Sequence, residues 1–544
     1  MSNSKNPHEL FNWINDTIKK LLKTKNDEEK ASIVKEIHDE LLKLEQVKLP
    51  PPSEGRKKDP EAEIHYPETV KEIQDIVKDA YNSGNTIVRV IGSNHSIKDA
   101  IWDAPPDKTV KLLSLSKFNG VDINQADQTA TVKAGTHLNR DPLDSNSTDE
   151  NSFNYIIDKA GFALPDLGGI AHQTVGGFLS TGSSGGSLKY SIEDSIVSIS
   201  LINGKGDIET LKYGEDKFFA AGVSMGLYGI ITHVTFKLIP NYYIYGSQVC
   251  AIMNSGLNPD YQEGCPIDLL GPGTQTVPSL QKFFAEDDNE YTRLFWWPQD
   301  RVNRLTIWKA KRTNVNDLEG YVKPTSPYKE FPEYFGSEIP AQILARIVYV
   351  ILNLFLSDEE WYKKIAALLL SLFNGIVLQS FQDIWYKGIP MDDQVSDTIL
   401  PTTFTELWFS IDQTQELMNK LDKVFKRGPS AVGNNATELY TAKESKFWLS
   451  PSYGQNVVRI DFLYFEGNLI GTPEEFFSQY WEEFKNDNFR CHWGKYVPKN
   501  YGEKVPSLYK KYNDWINIRK EMDPKQIFVT PYWRNILNIE ELSK

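Results

Sequence analysis

VRVIGSNHS (Val88–Ser96) and QTVGGFLSTGSSGGS (Gln173–Ser187) are the two stretches of sequence that decide the fold. The first joins a β-branched run, which predicts a buried strand, to a turn of glycine and small polar residues. Such a turn exposes several backbone N–H groups and suits a pyrophosphate, and the second stretch lets a flat or charged ligand approach the backbone closely. Neither GxGxxG after the first strand nor GxxxxGK[ST] occurs, so a Rossmann site and a P-loop are unsupported. Each stretch alone is equally typical of a flexible loop, but together they favour a ligand site.

Patterns of helices and short strands surround both stretches. Pro67 opens a predicted helix whose apolar residues recur at three- and four-residue steps, and Thr86–Ile91 reads as a buried strand. Further short strands follow, and Asn203-Gly204 between two of them is a strong hairpin signal. Residues 65–240 are therefore predicted to form one α+β domain. A charged helical pattern and the Pro-rich linker Leu49–Pro60 precede it.

Composition excludes several classes of protein. The chain has 544 residues, and 59 Lys and Arg against 73 Asp and Glu give a net charge of −14, which argues against a nucleic-acid partner. Three cysteines indicate a reduced compartment, and no His or Cys spacing suggests a metal site. Neither a secretory signal nor an apolar run of about 18 residues is found, so we expect a cytoplasmic protein without a transmembrane helix.

Two apolar segments, Ile343–Leu356 and Ile365–Leu378, stand out in the second half. Their length favours buried core or dimer helices. The alternatives are a membrane-surface helix or a mouth for a hydrophobic substrate, so a peripheral membrane contact through residues 343–378 stays open.

Several motifs together resemble one protein family. YPETVKEIQDIV, VRVIGSNHS, AGTHL, QTVGGFLSTGSSGGS, DSIVSISLINGKGDI and YGIITHVTFKLIP occur in family order. They resemble the PCMH-type FAD-binding domain of the vanillyl-alcohol oxidase superfamily, and within it the alditol and aldonolactone oxidases. FWWPQD, ATELYTAKESKFWLSPSYGQ, HWGK and MDPKQIF extend the resemblance into the second half.

The resemblance implies an α+β fold of two domains with an N-terminal helical extension. We expect the extension and linker in residues 1–64, the FAD-binding domain in 65–240, and an antiparallel-sheet substrate (cap) domain in 241–500. The C-terminal segment 501–544 is expected to return to the FAD-binding domain.

The resemblance also implies the cofactor, FAD, and the residues that bind it. His95 matches the histidine that carries the flavin covalently in this family, and no cysteine near the second stretch offers another bond, so a single histidyl linkage is expected. The other implied cofactor-binding residues are Gly92, Ser93, Asn94, Ser96, Thr174, Gly176, Gly177, Ser180, Thr181, Gly182, Gly185, Gly186, Ser187, Ile230 and Ile231.

The implied catalytic residues are Glu438, Tyr440 and Lys495. Glu438 and Lys495 match a glutamate and a lysine that face the flavin in the family, whereas Tyr440 stands where the family has arginine. Asp461 and Leu463 replace a histidine and a threonine of alditol oxidases. These departures predict weaker binding of sugar-type substrates, and we expect Arg459 to point away from Asp461 and not to replace the arginine.

The sequence thus predicts an FAD-dependent oxidoreductase that oxidises the CH–OH group of a small-molecule alcohol and passes electrons to O₂ or another acceptor. One alternative is an oxidase or dehydrogenase of a sterol- or lipid-like alcohol that associates with a membrane surface. Another is a flavin-binding protein with a degenerate active site.

Overall fold

The computed structural model describes residues 63–253, 265–313, 327–331, 379–466 and 471–542, except 104, 106 and 301, together with isolated positions before residue 40 and between 342 and 367. Isolated positions aside, the predicted N-terminal extension with its linker and the apolar segments within 343–378 lie outside these residues. In the described part of the chain, no helix has the length and apolar character needed to cross a bilayer.

The first half contains two principal sheets, in agreement with the predicted α+β class. The smaller sheet is parallel, and its strands in spatial order are Ile64–His65, Thr109–Ser114 and Thr86–Ile91. The larger sheet is antiparallel, with the order Val121–Asn124, Thr129–Lys133, Gly229–Lys237, Ile196–Asn203 and Ile208–Lys212. The short strands Phe162–Ala163 and Ile239–Pro240 form a separate antiparallel pair.

The helix Val70–Ser83 shows how local sequence sets the boundaries of an element. The Thr69 side chain accepts a hydrogen bond from the Glu72 N–H and caps the first turn. Gly84 adopts the left-handed conformation at φ 68° and donates its N–H to the Ala80 carbonyl, which ends the helix. Its apolar face is buried, so the predicted helix is confirmed, but it begins at Val70 after the Thr69 cap and not at Pro67 as predicted.

The second half is built on one antiparallel sheet of eight strands. In spatial order they are Gln379–Ile384, Tyr243–Ile252, Arg304–Thr313, Tyr291–Trp297, Thr437–Ala442, Val457–Phe465, Thr402–Ser410 and Arg490–Cys491. Because side chains alternate across a strand, residues two apart face the same side of this sheet.

The described α-helices cover these sheets and connect them. They are Val70–Ser83, Lys98–Ile101, Phe153–Lys159, Val175–Ser180, Asp216–Ala221, Leu280–Ala285, Trp385–Gly388, Thr414–Phe425, Pro429–Val432, Pro473–Glu483, Tyr501–Leu508, Tyr512–Met522 and Pro531–Ile536. Short 3₁₀ turns occur at Glu193–Ser195 and Ile411–Gln413.

The C-terminal segment packs against the first half of the chain. The Val88 N–H donates to the Ile527 carbonyl at 2.8 Å, and the Trp533 indole N–H donates to the Ala100 carbonyl at 3.0 Å. The Trp515 indole donates to a carbonyl of the helix Asp216–Ala221 at 3.0 Å. These buried bonds place residues 515–533 against the sheets that support the first glycine-rich stretch.

Candidate functional site

A cavity of about 830 Å³ lies between the two halves of the molecule. The loops after Thr86–Ile91 and around Val175–Ser180 form one wall, and four neighbouring strands of the eight-stranded sheet form the other. On the side of the first half, the cavity is lined by twelve of the predicted cofactor-binding residues: His95, Gly92, Ser93, Asn94, Ser96, Thr174, Gly176, Gly177, Ser180, Thr181, Ile230 and Ile231. The two glycine-rich stretches, Val88–Ser96 and Gln173–Ser187, therefore meet at one cavity.

Four predicted cofactor residues, Gly182, Gly185, Gly186 and Ser187, do not line the cavity. A Cβ atom added at Gly185 would lie 2.3 Å from Asp166 Oδ1, and one at Gly186 would lie 2.3 Å from the Thr292 carbonyl oxygen. These two positions are small because the chain packs against itself there, which composition alone does not distinguish from room for a ligand.

His95 lies beside His172, with ring centroids 6.0 Å apart and the rings tilted by 34°. The residue before it, Asn94, adopts φ 59°, a left-handed conformation that asparagine tolerates better than most residues. His172 Nε2 lies 3.3 Å from Asp393 Oδ1, and the Ser93 hydroxyl donates to the His172 carbonyl at 2.8 Å. Both histidines line the cavity.

Arg89 gives the cavity a buried positive charge at the end formed by the first half. Its guanidinium donates to four backbone carbonyls, those of Ala100, Ile101, Met225 and Phe528, at 2.8–3.3 Å. No carboxylate among the described residues forms an ion pair with it, and burial lowers the pKa of this guanidinium to about 10. A buried cation without a carboxylate partner fits the pyrophosphate of a dinucleotide such as FAD.

The three predicted catalytic residues lie together on the opposite wall. Glu438 and Tyr440 share a face of the strand Thr437–Ala442, and Lys495 follows the short strand Arg490–Cys491. Glu438 pairs in register with Asp461 on the neighbouring strand. These three residues are far apart in the chain and close in the fold.

Lys495 joins two buried carboxylates. Its Nζ atom lies 2.8 Å from Glu406 Oε2 and 2.6 Å from Asp461 Oδ2. Glu406 Oε1 accepts a hydrogen bond from Arg459 Nε at 2.5 Å, and the Tyr440 hydroxyl donates to Asp461 Oδ2 at 3.2 Å. The Arg459 guanidinium lies 3.7 Å from the centre of the Tyr440 ring, which closes a ring of five interacting side chains.

Burial and these pairings set the charge states. Burial raises the pKa of Glu438 well above its usual value, and the nearby Asp392 and Asp461 carboxylates raise it further. Burial opposes charge on Glu406 too, but Arg459 and Lys495 outweigh it and hold the pKa of that carboxyl far below its usual value. Conversely, the two carboxylates that pair with Lys495 raise the pKa of its ammonium, so this group stays charged.

The structure corrects the expectation for Arg459. Arg459 and Asp461 are two residues apart in the strand Val457–Phe465, so they share a face, and both line the cavity. Arg459 lies directly opposite Tyr440 in the strand pairing, and Nη1 donates to the Ser184 and Gly185 carbonyls at 3.0 and 2.8 Å. A cation is therefore present one strand away from position 440.

Sequence reasoning missed several charged residues in and behind this wall. Glu406 forms ion pairs with Arg459 and Lys495. Glu330 lines the cavity, and Arg293 forms a buried ion pair with Asp392. The available signal was a single charged residue inside an apolar strand, as in TTFTELWFS (Thr402–Ser410) and YTRLFWW (Tyr291–Trp297).

His492 is neutral in this setting. Its Nδ1 accepts a hydrogen bond from the Gly494 N–H at 3.1 Å, which leaves the proton on Nε2, 3.2 Å from the Ser183 hydroxyl oxygen. Burial lowers the pKa of the ring to about 3. Within the described ranges, no group of three or more His, Cys, Asp or Glu side chains is arranged to hold a metal ion.

Comparison with known proteins matches both halves of the chain. A family model described as an FAD binding domain matches residues 62–212, and one described as D-arabinono-1,4-lactone oxidase matches residues 273–536. The L-gulonolactone oxidase of Scyliorhinus torazame is 23% identical over 481 residues, which cover 87% of this chain and 94% of that protein. The D-arabinono-1,4-lactone oxidase of Candida albicans is 26% identical over 54% of this chain and 46% of its own length.

Solved structures agree on the fold. A variant of cholesterol oxidase from Brevibacterium sterolicum superposes with a TM-score of 0.65 at 15% identity, covering 87% of this chain and 94% of that structure.

Proposed function

We propose that this chain, which is similar to FAD-dependent lactone oxidases, oxidises a CH–OH group of a sugar-like small molecule such as an aldonolactone or alditol. It is an FAD-dependent oxidoreductase, and the specific substrate is the proposal. One observation carries it: a single cavity joins the two glycine-rich loops to a wall with charged and hydrogen-bonding side chains, Glu438, Tyr440, Asp461 and Lys495.

Each wall has a separate task in this proposal. The two loops bind FAD through their backbone, Arg89 offsets the negative charge of its pyrophosphate, and His95 forms the single covalent bond to it. FAD bound there would supply the hydride acceptor for the substrate carbon. Glu438 orients the substrate through its hydroxyl groups, and Lys495 stabilises negative charge that develops on oxygen. Electrons then pass to O₂ or another acceptor.

The Tyr440 substitution leaves the wall able to bind a polar substrate. Arg459 lines the cavity opposite Tyr440, and Asp461 contributes a carboxylate at the position where alditol oxidases have histidine. Apolar side chains such as Phe295, Trp297 and Leu463 also line it, so a bulkier alcohol remains the second candidate.

A panel of alcohols tests the substrate class. We expect xylitol, sorbitol and galactonolactone to bleach the flavin under anaerobic conditions. In turnover, we expect their kcat/KM to be at least about tenfold above that of sterols, aromatic alcohols and long-chain alcohols. A hydrogen bond to a charged group is worth about 1.5–3 kcal/mol, and the apolar alcohols would leave several such groups unpaired.

Preference for sterols or aromatic alcohols would contradict the sugar-like assignment and favour the second candidate. Bleaching by no alcohol would instead favour a flavin-binding protein without this activity. Parallel assays of oxygen consumption and of dye reduction identify the acceptor.

A further inference from the structure

Asp461 presents one carboxylate oxygen that the protein leaves without a partner. The residue is 1% exposed, and its Oδ2 atom accepts hydrogen bonds from Lys495 Nζ at 2.6 Å and from the Tyr440 hydroxyl at 3.2 Å. Its Oδ1 atom is buried and accepts no hydrogen bond from any described residue, although Asp461 lines the cavity. A buried acceptor held in a fixed orientation is normally satisfied, so Oδ1 is suited to a donor that arrives with a ligand.

Charged groups from four chain segments face this carboxyl. Glu406 lies on Thr402–Ser410, Arg459 on the same strand as Asp461, Lys495 after Arg490–Cys491, and Glu438 and Tyr440 on Thr437–Ala442. Burial and Glu406 raise the pKa of Asp461 to about 7, although Lys495 and Arg459 oppose this shift. At neutral pH both the protonated and the ionised carboxyl are therefore populated.

The other ionisable groups of this wall are less suited to accept a proton. The raised pKa of Glu438 favours the protonated form of that carboxyl, and Lys495 stays charged between its two carboxylates. The Tyr440 hydroxyl is a donor whose pKa burial raises well above its usual value. His492 is held neutral, with Nδ1 already occupied by the Gly494 N–H.

Resting on the alcohol oxidation proposed above, we propose that Asp461 Oδ1 is the base that receives the proton of the substrate hydroxyl, with Glu438 orienting the substrate through a hydrogen bond. The substrate O–H bond breaks and a bond between Asp461 Oδ1 and hydrogen forms. The C–H bond breaks with its electron pair passing as hydride to FAD, and a C=O bond forms. The substrate loses two electrons and FAD gains them.

The test uses the full-length holoenzyme and the best substrate of the alcohol panel. Anaerobic stopped-flow measurements give the rate of flavin reduction between about pH 5 and 9. In wild type this rate is expected to rise with pH through a midpoint near 7, because only ionised Asp461 would accept the proton. Asp461→Asn is expected to lower the rate by about 10²–10⁴ and to abolish the midpoint, while its flavin content and reduction by dithionite stay unchanged.

Three further variants separate a base from a structural residue. Tyr440→Phe removes a hydrogen bond to the ionised carboxyl, so the midpoint is expected to rise by about half to one pH unit. Glu438→Gln should keep the midpoint and act mainly on KM. Asp122→Asn, at an exposed position of the strand Val121–Asn124, should match wild type.

The assignment of the base is overturned if Asp461→Asn reduces flavin at the wild-type rate with the wild-type midpoint. It is also overturned if Glu438→Gln abolishes the midpoint while Asp461→Asn keeps it. Should Asp461→Asn fail to fold, an unshifted midpoint in Tyr440→Phe overturns it instead. A wild-type enzyme whose flavin is bleached by no alcohol refutes the proposed function itself. That result differs from all three outcomes that overturn the assignment of the base.

Discussion

His95→Ala is expected to yield protein that releases all of its flavin on acid precipitation, whereas wild type keeps a yellow pellet. His95 lies in the first glycine-rich loop and lines the cavity, and a neutral imidazole nitrogen is a competent nucleophile near neutral pH. The remaining residues of the two loops should still bind FAD non-covalently. Because a covalent bond raises the flavin potential and prevents loss of the cofactor, we expect turnover to fall at least about tenfold, which corresponds to about 1.4 kcal/mol in the barrier.

The measurement is absorbance at the two flavin bands in pellet and supernatant, with turnover measured on the same preparation. His233→Ala is the matched control, because His233 lies on the strand Gly229–Lys237 and does not line the cavity. Release of flavin from denatured wild type would refute the covalent bond and leave FAD binding by the loops intact. A colourless protein that stays apo after FAD is added would contradict the cofactor itself.

Lys495→Met is expected to lower turnover by about 10²–10³ and to destabilise the fold by about 3–5 kcal/mol. Lys495 Nζ lies between Glu406 Oε2 and Asp461 Oδ2, and these carboxylates are 0% and 1% exposed. Without the ammonium, two buried carboxylates face each other with only Arg459 to offset them. The substrate oxygen also loses a positive charge that the site holds in place before the reaction begins.

Thermal unfolding and steady-state turnover of the flavin-loaded variant check this result. Lys495→Arg keeps the positive charge and is expected to retain more stability than Lys495→Met, although its planar group fits the two carboxylates differently. A Lys495→Met enzyme with wild-type turnover and wild-type melting temperature would contradict the role given to this ion pair.

Local patterns predicted most elements of the first half correctly. The strand Thr86–Ile91 follows from its β-branched run, and the helix Val70–Ser83 follows from its apolar spacing, although it begins after Pro67. All of these signals lie within a few residues of the element that they define, which is why they can be read without a structure.

The predicted cofactor residues divide into those that line the cavity and those that pack against another segment of the chain. His95 and Gly92 line the cavity as expected, but Gly185 and Gly186 pack against Asp166 and Thr292. A glycine required by a ligand and a glycine required by a neighbouring segment look identical in sequence. Only the coordinates of that neighbouring segment separate the two.

The sequence by itself determined most strands and helices of the first half and the two glycine-rich stretches, because turn residues and strand boundaries are encoded locally, and its motifs carried the resemblance to FAD-linked oxidases. The tertiary structure alone decided the electrostatics of the catalytic wall. Glu406, Tyr440, Asp461 and Lys495 come from four separate segments, and their charge states follow from distances of 2.6–3.2 Å and from the nearly complete burial of Glu406, Tyr440 and Asp461. Electrostatic energy depends on separation in space and on exclusion of water, and a local pattern in the sequence specifies neither.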